Sequence, residues 1–242
     1  MEAGTPSATA RAVAQVRAAM DRPITADGDG SVEARLVDRF PPRRRTGMAD
    51  YLERRTRWFD AVTLRSLEAG IDQVVIVAAG YDCRALRFRT SGVRFYELDH
   101  PDTQRDKRTI LSDLGVDTSD VTFVATDFTT DDIAGALVAG GHAADRPTVF
   151  LAEGLLVYLD DATIRVLLRA LRERAAGSSR LAVSISRGQD ATFRVTVDRV
   201  GEPVRSGYQP DEAAALLTDC GWTGDTSRGL VLATPTDLPQ PG

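Results

Sequence analysis

The chain has 242 residues, 43% hydrophobic and 27% charged, which is the length and balance of one globular domain and not of a disordered or fibrous protein. A net charge of −5 argues against a nucleic-acid surface, and Cys83 and Cys220 stand too far apart for a zinc motif or a disulfide framework. No run approaches the ~18 apolar residues of a membrane span, so the expectation is a cytoplasmic protein with no metal, no membrane contact and no nucleic-acid partner.

Residues 1–50 read as an accessory N-terminal segment. It holds a short helix over Thr9–Met20, a turn at Gly28-Asp29-Gly30, a helical patch near Val32–Phe40, then Pro41-Pro42 and three arginines. It is too polar for a core of its own and suits a helical lid. From Ala49 onward, Leu52, Phe59, Val62 and Leu67 share one helix face, which Gly70 stops. The continuous apolar run Gln73–Ala79 predicts a parallel strand buried on both faces. Further strands are expected at Arg94–Leu98, Val121–Ala125, Pro147–Leu151 and Leu181–Ser186, with helices between them at Pro101–Asp113, Ile133–Ala139 and Asp161–Ala175. A helix at Asp211–Cys220 and a hairpin of Trp222–Asp225 with Leu230–Ala233 follow. Residues 51–236 therefore form one doubly wound α/β sheet, mostly parallel with an antiparallel terminal strand, and 237–242 a disordered tail. Ligands of such sheets sit beyond the C-terminal strand ends, at the switch point beside the first strand.

The residues at those ends carry the chemistry. The first strand runs into Ala78-Ala79-Gly80, a small-residue turn that lets backbone approach a ligand closely, or that is simply structural; with one glycine it is not a dinucleotide GxGxxG. The second strand ends in Glu97-Leu98-Asp99, placing carboxylates about 20 residues after the turn, where nucleotide-binding sheets hold ribose hydroxyls. Asp99 is nearer the end; the alternative is that either carboxylate caps the helix starting at Pro101. The third strand ends in Asp127-Phe128, an acceptor and an apolar cover suited to a purine, or else an Asp turn with a core ring. The fourth ends in Glu153, one acidic residue within an apolar run, which requires a cationic partner from protein or ligand.

Four ordered blocks together resemble the leucine carboxyl methyltransferase-like family of S-adenosylmethionine-dependent O-methyltransferases, whose bacterial members include secondary-metabolite enzymes. They are Arg55-Thr56-Arg57-Trp58-Phe59-Asp60, Val75 to Ala85, Phe95 to Pro101, and Ala152-Glu153-Gly154-Leu155-Leu156-Val157-Tyr158-Leu159, spread over roughly residues 35–175. The resemblance implies a Rossmann-like class I methyltransferase sheet with S-adenosyl-L-methionine as cofactor. It also implies roles: Arg55, with Arg57 nearby, on the methionyl carboxylate; Ala78, Ala79 and Gly80 against the cofactor backbone; Asp99 on the ribose; Asp127 and Phe128 at the adenine; Glu153 beside the methionyl amine and sulfonium. Without the resemblance, Arg55 reads as a helix charge paired with Glu53 or Asp60. Three departures stand out: Ala78 replaces the first glycine of a GAG turn, Cys83 replaces a frequent threonine, and the chain is shorter than many relatives after Ser186.

The implied reaction is in-line methyl transfer to a carboxyl or hydroxyl oxygen of a small molecule, in which the protein orients the reactants and excludes water. No catalytic base is named: His100 reads as a helix-start residue, His142 as a loop residue, and Tyr158 and Tyr208 as acceptor-side, core or surface tyrosines. Competing readings are a nucleotide-cofactor oxidoreductase and a non-catalytic methyltransferase fold that binds the cofactor, the latter motivated by Ala78 and the missing base. Acceptor choice falls to residues 1–50 and about 187–210, the latter with Phe193, Val195, Val197 and Val200 as lid, homodimer contact or extra strand.

Overall fold

The structure is a computed structural model that describes residues 6–41, 48–187 and 203–236. Seven strands form one sheet in the order β3-β2-β1-β4-β5-β7-β6. They are β1 (Gln73–Val77), β2 (Arg94–Asp99), β3 (Val121–Ala125), β4 (Thr148–Ala152), β5 (Arg180–Ser184), β6 (Trp222–Thr223) and β7 (Leu230–Pro235). The first five strands pair in parallel, and β7 runs antiparallel to both β5 and β6. Every residue of β1 and β4 is buried, as their unbroken apolar runs require of strands covered on both faces.

Helices cover each face. One carries α6 (Ile133–Ala139), α7 (Asp161–Glu173) and α8 (Pro210–Asp219) over a core that includes Val75, Tyr96, Phe150, Leu167, Leu171 and Trp222. The stripe of Ile164, Leu167, Leu168 and Leu171 on α7 is fully buried, and Asp160 caps the helix by accepting from the Thr163 N–H. The other face carries α1 (Ala8–Ala18), α2 (Val32–Val37), α3 (Ala49–Glu68) and α5 (Pro101–Asp113). There Ala14, Val32, Leu36 and Phe40 join Phe59, Val62, Val74 and Leu111, so the polar N-terminal segment contributes to the domain core as part of a helical layer.

Boundaries differ from expectation in instructive places. The first strand stops at Val77, two residues early, because Ala78 turns into the left-handed region at φ 53°. A short helix, α4 (Arg84–Arg87), and a 3-10 turn at Leu156–Tyr158 follow the ends of β1 and β4. His142 lies in the loop between α6 and β4, as expected, and is buried there: its Nε2 lies 3.0 Å from Thr148 Oγ1, at the start of β4. The arginine run at 43–45, most of the 187–210 lid segment and the 237–242 tail lie outside the described residues.

Candidate functional site

Strand register builds the site. Val77 pairs with Leu98 on one side and with Ala152 on the other, so the next residues, Ala78, Asp99 and Glu153, emerge level with one another at the switch point. A cavity of about 900 Å³ opens there, lined by Arg55, Ala78, Ala79, Gly80, Asp99, Asp127, Phe128 and Glu153 among others. Every residue expected at the site except Arg57 therefore borders one space. Arg57 is exposed and donates Nη1 to Asp21 O at 3.0 Å; two residues along a helix is a rotation of some 200°, which carries it away from Arg55.

The turn after β1 is tightly made. Ala78 is the one non-glycine residue with positive φ among the described residues. Gly80, also left-handed at φ +53°, has no room for a side chain, since a Cβ there would lie 2.9 Å from Ala10 Cβ on α1. Its N–H donates to Asp99 Oδ2, tying the turn to the end of β2. Burial pushes the Asp99 carboxyl up to about 6, against the opposing pull of backbone donors. Glu97, on the same strand face, is spent elsewhere: it pairs with Lys107 Nζ at 2.6 Å, and that ammonium also reaches Asp82 O. The one lysine of the chain thus holds α5 to β2 beneath the site.

Asp127 forms an Asx turn, accepting from Thr129 N at 2.9 Å and Thr129 Oγ1 at 2.6 Å, which holds its carboxyl below the usual range. Phe128 is half-buried and packs on the α6–α8 core. His100 caps α5 through Nδ1, accepting from Asp102 N at 3.3 Å, and borders the cavity. Tyr158 also borders it, whereas the Tyr208 hydroxyl donates to Asp161 Oδ1 at 2.9 Å.

Glu153 finds three protein cations. Oε1 accepts from Arg55 Nε at 2.9 Å, and Oε2 accepts from Arg84 Nη1 at 2.6 Å and lies 2.9 Å from Arg17 Nη2. Against the desolvation that would raise it, these guanidinium groups hold its carboxyl well below the usual range. Arg55 therefore pairs with neither Glu53 nor Asp60. Gly154 explains its placement: with φ +70°, a Cβ there would lie 2.8 Å from Arg55 Nη1.

Sequence reasoning missed three further charges, Arg17, Asp82 and Arg84, that line the cavity with Glu153. Arg84, fully buried, donates Nε to Asp60 Oδ1 at 2.7 Å and Nη2 to Thr56 O at 3.2 Å, and also pairs with Asp82. Asp82 lies 3.3 Å from Arg17 Nη1, and its carboxyl is lowered to about 2, burial being outweighed by Arg17 and Arg84. The visible signal was the Asp82-x-Arg84 spacing after the turn; Arg17 carried none. Helix α1 supplies Ser7 and Arg17 at its ends to the cavity wall, with Ala10 and Val13 between, and is fastened outside by Arg11 Nη2 to Asp106 Oδ2 at 2.8 Å. Pro203 and Arg205 border the mouth, held by Arg205 N donating to Val157 O at 2.8 Å.

Among the described residues no His/Cys/Asp/Glu group suits a metal, and no helix is long and apolar enough to cross a membrane. Solved structures described as methyltransferases share the fold. A Thermobifida fusca structure provisionally described as a methyltransferase aligns with TM-score 0.62 at 14% identity over 98% of this chain and 97% of that one. Magnesium protoporphyrin IX methyltransferase from Synechocystis, solved with bound SAH, aligns with TM-score 0.54 at 13% identity over 85% and 95%. By sequence, a Mycobacterium marinum protein provisionally named S-adenosyl-L-methionine-dependent methyltransferase is 38% identical over 64% of this chain and 50% of its own length. Relatives under the same provisional name in Mycolicibacterium gilvum and Frankia alni are 36% and 30% identical, covering 78% and 90% of this chain and 62% and 83% of theirs. The chain thus spans between half and about four-fifths of the length of these relatives. The sequence profile of leucine carboxyl methyltransferase matches residues 7–172, and the chain belongs to that family.

Proposed function

We propose that the protein is an S-adenosyl-L-methionine-dependent methyltransferase that methylates a carboxyl or hydroxyl oxygen of a small molecule. The observation carrying this reading is the single cavity at the switch point where Asp99, Asp127, Phe128, Arg55 and Glu153 converge around the Ala78–Gly80 turn. The donor set fits the cofactor. Asp99 offers acceptor capacity for two ribose hydroxyls, Phe128 an apolar face and Asp127 an acceptor for the adenine amine. Glu153 uses three lone-pair directions on arginines, and the remaining one on Oε1 suits the methionyl ammonium. Arg55, whose Nε is engaged by Glu153, borders the cavity with a guanidinium that matches the methionyl carboxylate.

The cofactor supplies an electrophilic methyl on a sulfonium. The chain's part is to orient that end through Glu153 and Arg55, to exclude water beneath α1, and to seat the acceptor against Leu52, Leu155 and Leu159. A carboxylate acceptor arrives ionised and needs no base. Ala78 retains the left-handed turn, so its replacement of glycine adds strain without opening the loop, and the turn stays available to the cofactor.

The test is transfer from methyl-labelled cofactor to a panel of small carboxylic acids, phenols, alcohols, amines, thiols and activated carbon acids. Base-labile label marks a methyl ester and base-stable label an ether. Label on nitrogen, sulfur or carbon acceptors only, or none at all, contradicts O-methylation.

A further inference from the structure

From Glu153 and Arg84 in the cavity wall the buried charges run inward as one continuous line. Glu153 pairs with Arg84, Arg84 with Asp60, Asp60 with Arg22, and Arg22 with Glu33 of α2. The Arg22–Asp60 contact is a two-pronged fork, Nε to Oδ2 at 2.8 Å and Nη2 to Oδ1 at 2.9 Å. All five side chains are at least 95% buried, and Arg22, Glu33 and Asp60 do not border the cavity. Arg84 is the hub. It uses Nε on Asp60, Nη2 on a helix carbonyl and Nη1 on Asp82 and Glu153, so its plane is fixed from both sides.

We infer that Arg84 and Asp60 are positioning residues: Asp60 sets the plane of Arg84, and Arg84 sets the direction in which Glu153 presents its remaining lone pair to the amino-acid end of the cofactor. This rests on the reading that the cavity holds S-adenosyl-L-methionine. A guanidinium held at three edges cannot rotate without breaking charged hydrogen bonds out of water, so orientation is transmitted along the line. Removing the Asp60 charge weakens the hold on Arg84 Nε and puts an amide N–H against the Arg22 fork, which disturbs Glu153 from a position that does not border the cavity. The adenosine end, held by Asp99, Asp127 and Phe128 on other strands, lies outside the line.

Two ligands separate positioning from general damage: S-adenosylhomocysteine carries the amino-acid end, and 5′-methylthioadenosine lacks it. Calorimetric titration of Asp60→Asn is expected to show S-adenosylhomocysteine weakened by about tenfold or more, with 5′-methylthioadenosine within about twofold of wild type. Arg22→Lys keeps the charge and loses the fork, so a smaller loss with the same selectivity is expected; it decides the matter if Asp60→Asn does not fold. Equal weakening of both ligands in a folded variant, or no weakening of either, overturns the positioning role while leaving the cofactor reading intact. A wild type that binds neither ligand removes both.

Discussion

At the scale of single residues, Ala78 and Asp99 give opposite kinds of expectation. Ala78 holds φ 53°, a region that costs a residue with a Cβ about 1–2 kcal/mol, whereas glycine loses about 0.4–1 kcal/mol through its freer unfolded chain. Ala78→Gly should therefore raise unfolding free energy by about 0.5–1 kcal/mol in urea titration, and Ala78→Val should lower it. A destabilised glycine variant would show that the alanine methyl packs more favourably than the strain costs. For Asp99, a folded value of about 6 lies above the ordinary 3.8. Its protonated form is favoured by the fold, so this contribution to stability is fully present below ~3.8 and is lost as pH rises through about 6. On the proposed cofactor reading ligand binding runs the other way, because an ionised Asp99 would accept from the ribose hydroxyls. Affinity for S-adenosylhomocysteine should fall as pH drops through about 6, and the dependence should vanish in Asp99→Asn. Asp82, lowered to about 2, stabilises the fold above ~3.8, and that contribution disappears as pH falls through about 2.

At the scale of elements, the sequence displayed what local physics dictates. The apolar runs of β1 and β4, the buried stripe of α7, and Pro101 opening α5 all follow from periodicity and capping, and the structure forms each of them. Asp99 and Glu153 were legible because strand ends of a doubly wound sheet converge, a consequence of topology. Arg17, Asp60, Arg22 and the Lys107–Glu97 pair were not, because ion pairs between α1, α3, α5 and the sheet depend on helix packing angles that spacing along the chain does not encode. Arg57 misled for a different reason, since residues two apart on a helix point to nearly opposite sides. Two variants probe these element contacts. Lys107→Met leaves Glu97 buried and unpaired and should cost about 3–5 kcal/mol in chemical denaturation, with most of it recovered by adding Glu97→Gln. Gly154→Ala meets a left-handed backbone and Arg55 at 2.8 Å, so it should cost about 1–3 kcal/mol and weaken S-adenosylhomocysteine.

At the scale of the whole molecule, the N-terminal layer and the sheet form one unit. Residues expected to be a polar lid bury Ala14, Val32 and Leu36 in the core, send Arg17 to Glu153 and Asp82, and place α1 across the Gly80 turn. The cavity wall is therefore made jointly by the strand ends and by a helical layer that a cofactor-sheet reading treats as accessory. On the proposed function, the strand-end carboxylates at this switch point bind S-adenosyl-L-methionine. Calorimetric titration of the wild type and of Asp99→Ala and Glu153→Ala with S-adenosyl-L-methionine tests it directly. Saturable one-to-one binding by the wild type, with both variants weakened by about tenfold or more, is the expected result; no binding by the wild type, or unchanged affinity in both folded variants, would contradict it.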